Sequence, residues 1–177
     1  MLKDKVVVAT GTAQGSRRAV APGMSRSGAK VAVANVNRDG VEAVAHEIEA
    51  LGSAALPFAF DITDREAGSR FIQAVEDRTG STSVLINNAD IIRRTAFDAS
   101  SYHENYELTF RINVIGTVSM ISAFLSQLRV TSGRGINLGS IMSFLGTRNS
   151  SSHSESKGEV LQLTKATHKV PGCSTRR

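Results

Sequence analysis

Apolar residues along this chain follow two rhythms in alternation. The first is a short, nearly continuous apolar run: "KVVVAT" (5–10), "KVAVAN" (30–35), "AALPFAF" (54–60), "SVLINNA" (83–89) and "GINLGS" (135–140). Such runs, bounded by glycine or polar turns, predict strands buried on both faces. Pro57 has no N–H to give to a ladder, so the third run is expected at a sheet edge. The second rhythm is helical. An amphipathic stretch reaches about Ser27, and Val41, Val44, Ile48 and Leu51 form a stripe that Gly52 stops. Thr63-Asp64-Arg65-Glu66 is a capping box, opening a helix through Phe71, Ile72 and Val75 to Gly80. Ser101 and Glu104 form a second box before a long apolar helix towards Leu128, and a last helix starts near Ser152 and ends before Pro171. Pro22 falls inside the first helical register, at an expected cost of about 3 kcal/mol.

Strands alternating with helices of this length imply right-handed βαβ crossovers. The expected fold class is α/β, a doubly wound parallel sheet, with one domain over residues 1–170 and an irregular tail at 171–177. Such sheets take their ligands outside the carboxyl ends of the strands. "TGTAQG", "NNAD" and "GSIMS" fall at those ends, so the unusual residues share one rim.

Composition narrows the classes. With 177 residues, 41% hydrophobic and 21% charged, the chain can bury a core and is neither disordered nor a membrane protein in type. "KVVVAT" is too short to span a bilayer and lacks a secretory layout, so a cytoplasmic location is expected. A net charge of +5 raises nucleic-acid binding. Yet Arg17, Arg18, Arg93, Arg94, Lys165, Lys169, Arg176 and Arg177 are scattered and aromatics are only 5%, so no nucleic-acid partner is expected. Cys173, the single cysteine, argues against an internal disulfide or a metal site.

"HSESK" (153–157) carries the candidate chemistry. On a helix, His153 and Lys157 lie on one face, as a proton-handling pair or as two solvated side chains. Their company decides between these. Thr10-Gly11-x-x-x-Gly15 follows strand one, Asn87-Asn88-Ala89 follows strand four, Asn113 lies in the long helix, and Ser140 precedes the pair. Together these resemble the short-chain dehydrogenase/reductase family, with its TGxxxGxG, NNAG, Asn, Ser and YxxxK, over residues 3 to 166.

That resemblance implies a Rossmann-type sheet of strand order 3-2-1-4-5, here without the family's last strands, as in a truncated relative. It implies hydride transfer between NAD or NADP and a small alcohol or ketone. Asn113, Ser140, His153 and Lys157 take the catalytic places, His153 standing where the family has tyrosine. Gly11, Gln14, Gly15, Asn35, Arg38, Asp61, Asn88, Ala89 and Lys157 take the cofactor-binding places. Asn35 and Arg38, in place of an acid after strand two, tip the expectation towards NADP. Asp61 reads equally as an adenine-side acid or as a solvated residue before the helix cap. The resemblance also implies a homo-oligomer through helices 102–128 and 153–169.

Three positions depart from the pattern. Arg17 replaces the third glycine, which is expected to disturb the turn, although it also offers a cation to a phosphate. Asp90 replaces the glycine of NNAG and brings a carboxylate to the rim. Neutral His153 accepts protons but donates them poorly, so impaired turnover is expected, with a non-catalytic relative as the alternative.

Overall fold

The computed structural model describes residues 2–167. Its sheet has five parallel strands, β1 (Val6–Thr10), β2 (Lys30–Asn35), β3 (Ala55–Ala59), β4 (Val84–Asn87) and β5 (Arg134–Asn137). Their order is β3-β2-β1-β4-β5, with Pro57 on the edge strand as its missing N–H requires. The helices are α1 (Val20–Arg26), α2 (Arg38–Ala50), α3 (Arg65–Thr79), α4 (Tyr102–Phe110), α5 (Thr117–Val130) and α6 (Ser151–Thr167).

The pleat of β1 shows why a continuous apolar run is needed. Val6 and Val8 point to one face, where Leu56 and Leu85 meet Phe71 and Val75 of α3 and Met120, Phe124 and Leu128 of α5. Val7 and Ala9 point to the other, where Val31, Val33 and Ile86 meet Ala21 of α1 and Val41, Val44 and Ile48 of α2. Phe71 is the hub of the first core, its ring centroid 5.1 Å from Phe58, 5.2 Å from Phe60 and 5.9 Å from Phe124.

Four local expectations are corrected. The α3 cap is Asp64 rather than Thr63: the Asp64 side chain accepts from the Ala67 N–H at 3.0 Å, and Thr63 lies one residue earlier, in a turn where its N–H is given to Asp61 Oδ1 at 2.9 Å. Ser101 precedes α4 but its side chain caps nothing. The fifth strand ends at Asn137, three residues earlier than its apolar run, because Ser140 leaves the sheet to cap a 3₁₀ turn, Ile141–Ser143. Lastly, α1 begins only at Val20, after a 3₁₀ turn over Gly15–Ala19, so Pro22 sits in the first α-turn, where a missing N–H costs little.

The long helix is continuous from Tyr102 to Val130 but is interrupted by a π-helical segment, Arg111–Gly116. Gly116 lies under Ile62, and a Cβ there would come within 2.4 Å of the isoleucine Cδ1. By length and composition this helix could cross a membrane, at a mean hydropathy of 1.5, but its most apolar side, Met120, Phe124 and Leu128, is buried on the sheet. The tail 171–177 and the end of the helix 153–169 lie outside the described residues.

Candidate active site

The rim forms where β1 and β4 end side by side. Gly11 leaves β1 at φ +68°, and its N–H donates to the Ala34 carbonyl of β2. A Cβ at Gly11 would lie 2.5 Å from Ala89 Cα, so the turn and the chain after β4 touch backbone to backbone. Thr10 binds them further: its hydroxyl accepts the N–H groups of Asn88 and Ala89, at 3.1 and 3.2 Å. Asn88 answers by donating its amide to the carbonyls of Thr10 and Gly11. Gly15 also has positive φ, +62°, but nothing stands within 4 Å of where its Cβ would be. One glycine is required by contact, the other by conformation alone.

Asn113 sits in the π-helical segment, 1% exposed. Its Oδ1 accepts from the Ile91 N–H at 2.9 Å, and its Nδ2 donates to the Ile91 carbonyl and to Ser156 Oγ. The widened turn thus locks the segment after Asp90 to α6. Asn87 donates to Asn137, and Asn137 to Thr164, tying β4, β5 and α6 together below the rim.

His153 and Lys157 are both buried on α6, their side chains 4% and 6% exposed. The solvated reading of the pair is thereby removed. Lys157 Nζ donates to the Leu138 carbonyl at 2.8 Å and stands 3.2 Å from Asp90 Oδ1. His153 Nδ1 is 3.7 Å from the same oxygen, an ion-pair distance without a hydrogen bond. Asp90 Oδ2 accepts from Arg17 Nη2 at 2.5 Å, while Arg17 Nη1 donates to the Asp90 carbonyl. Arg17 therefore does not break the turn; it closes over it, fastened to the second unusual residue.

Burial is the leading cause that pushes the His153 imidazole below its usual 6.5; Asp90 opposes the shift and Lys157 adds to it. Burial likewise pushes the Lys157 ammonium below its usual 10.5, against the pull of Asp90. For the histidine, desolvation outweighs the neighbouring Lys157 charge because both groups are buried.

The remaining candidates divide. Gly11, Gln14, Asn35, Asp61, Ala89, Arg17 and Asp90 line one cleft of about 140 Å³. Arg38 is outside it, on the exposed face of α2, 3.8 Å from Glu42. Asn35 Oδ1 accepts from the Asn37 N–H, and Asp61 closes its own turn onto Thr63, so both carry a structural bond at the cleft wall. Ser140 Oγ accepts from the Met142 N–H and so caps the 3₁₀ turn, beside which Ser143 Oγ donates to the Lys157 carbonyl.

Sequence reasoning named Thr10 only as part of the glycine motif, with no role of its own, and passed over Ser156 and Asn137. Each is a small polar residue whose role depends on a partner far away in the chain, and only the Thr10 position, last in β1, carries a hint. It also treated Arg17 and Asp90 as separate faults.

A parallel sheet of this order with a glycine turn after its first strand defines a doubly wound nucleotide-binding architecture. The short chain dehydrogenase family model matches residues 5–170, and the chain belongs to that family. It is 34% identical over 172 residues to a sorbitol dehydrogenase of Cereibacter sphaeroides, covering 93% of this chain and 64% of that protein. A fluoren-9-ol dehydrogenase of Terrabacter sp. is 33% identical over 71% of this chain and 37% of its own length. The chain thus spans less than two thirds of the length of these relatives. An alcohol dehydrogenase from Thermococcus sibiricus, solved with 5-hydroxy-NADP, superposes with a TM-score of 0.90 at 24% identity, over 97% of this chain and 73% of the other. It shares the fold.

Proposed function

We propose that this chain is an NAD(P)-dependent oxidoreductase that moves a hydride between a nicotinamide and a small alcohol or ketone, at a rate limited by its altered proton relay. The supporting observation is convergence at the carboxyl rim of the sheet: Arg17, His153 and Lys157 meet around the Asp90 carboxylate, the Gly11 turn touches the neighbouring Ala89, and Asn113 holds the neighbouring Ile91.

The residues fit a dinucleotide along its adenosine and diphosphate half. Gly15 keeps an open, positive-φ backbone ahead of a helical turn, where a phosphate approaches N–H groups. Asn35 and Asp61 wall the adenosine end. Asn35 carries no charge to repel a 2′-phosphate and the exposed Arg38 attracts one, which favours NADP over NAD. Lys157 is set to grip the nicotinamide ribose, although Asp90 holds it now. A bound nicotinamide supplies or accepts the hydride.

The protein's own part is proton handling. Neutral His153 accepts the proton of an alcohol, Ser140 orients the reacting oxygen, and Asn113 keeps the segment after β4 in register with α6. The names of the relatives, a sorbitol and a fluoren-9-ol dehydrogenase, support an alcohol or its carbonyl as substrate. Exposed Ile115 and Val118 on the long helix support a homo-oligomer through that helix and α6.

A second reading, a relative that keeps the fold without turnover, is favoured by the Asp90–Lys157 pair, which occupies the lysine. Initial rates on a panel of ketones with NADPH, for the wild type and His153→Tyr, separate the two. We expect slow wild-type turnover and at least about a tenfold gain with the phenol restored, since general acid help is worth roughly 10²–10⁴ in rate. No turnover by either protein excludes the catalytic reading.

A further inference from the structure

Arg17, Asp90 and His153, the three departures from the family pattern, are remote in sequence and adjacent in space. One carboxylate joins them. Asp90 Oδ2 takes the Arg17 guanidinium at 2.5 Å, while its Oδ1 stands 3.2 Å from Lys157 Nζ and 3.7 Å from His153 Nδ1. Arg17 begins at the glycine turn and Lys157 ends beside the carboxyl end of β5, so a single side chain bridges the two cations of the rim. The Asp90 side chain is only 4% exposed, and a carboxylate so buried is tolerable only while such partners hold it. A cation already committed to a carboxylate is withheld from any other anion.

We propose that Asp90 is a built-in anion that occupies Arg17 and Lys157, and that a phosphate-bearing ligand enters the rim only by displacing it. The nucleotide as that ligand rests on the dinucleotide reading given above; the displacement itself does not. Arg17 is the accessible member: its side chain is 38% exposed, against 6% for Lys157, so it can turn from the carboxylate to an incoming phosphate without unpacking the core. Asp90 then faces that phosphate as a like charge, which makes it the residue that sets affinity.

Isothermal titration of wild type, Asp90→Asn and Asp90→Gly with inorganic pyrophosphate, and separately with NADPH, tests this. Removal of the carboxylate is expected to tighten binding of both probes at least about tenfold, because like charges brought together cost several kcal/mol. Adding Arg17→Ala to Asp90→Asn is expected to lose part of that gain. Tighter pyrophosphate binding with no response to NADPH supports the built-in anion and overturns the dinucleotide reading. Equal or weaker binding of both probes by the Asp90 variants overturns the displacement while leaving the dinucleotide reading intact, and no binding by any protein overturns both. The wild type gives an independent readout should the variants not fold: the ¹³C resonance of the Asp90 carboxylate is expected to shift on saturation with pyrophosphate, and a resonance that stays fixed overturns the proposal.

Discussion

Replacing a phenol by an imidazole at position 153 changes when the group can act as well as where its proton sits. Burial favours the neutral form, so below pH 6.5 the unfolded chain binds the proton more readily than the folded one. Stability from this group is complete above pH 6.5 and declines as pH falls through the window between 6.5 and the lower folded value, by at most about 1.4 kcal/mol per pH unit. Urea midpoints between about pH 7 and about pH 5.5 should therefore fall more steeply for wild type than for His153→Gln; parallel curves would show that the histidine titrates as it does in the unfolded chain. Lys157 has the same sign on the alkaline side, its folded form gaining stability as pH rises towards 10.5. The residue types of the candidate site were legible in the sequence through its resemblance to the family pattern, which picked out Asn113, Ser140 and Lys157. Their pairings were not. Nothing local marks Arg17 and Asp90, 73 positions apart, as partners, and two departures that look damaging singly form a charge pair in the fold.

Elements were read more easily than their ends. Continuous apolar runs gave every strand because both faces of a parallel sheet are buried, and the edge place of β3 followed from Pro57. Ends depend on which side chain wins a backbone N–H. The Asp64 carboxylate took that of Ala67 and set the α3 cap one residue beyond Thr63, and Ser140 left β5 for a 3₁₀ turn. The glycine turn offers a sharp test at this scale. Gly11→Ala meets Ala89 backbone at 2.5 Å and a positive φ at once, so a loss of about 3 kcal/mol or more in denaturant unfolding is expected. Gly15→Ala meets only the positive φ and should lose about 1 kcal/mol. Equal losses would mean that the two turns of chain do not touch.

For the molecule as a whole, one apolar layer on each side of the sheet holds the rim in place. Phe71 joins β3, α3 and α5, and Phe71→Ala should cost about 3–5 kcal/mol, a large share of a stability of about 5–15 kcal/mol. A loss under about 1 kcal/mol by equilibrium unfolding would place the ring outside the core. Because the rim is built by the same sheet, its occupation should stabilise the entire fold. A ligand at about 100 times its Kd adds about 2.7 kcal/mol to a folded state that alone binds it. The direct measurement is the thermal melt of the wild type over rising concentrations of NADPH and of NADH. Dinucleotide binding at the Gly11 rim predicts one cooperative transition whose Tm climbs by several degrees with the logarithm of ligand concentration, further for NADPH. A Tm that stays unchanged with both nucleotides at saturating concentration contradicts it.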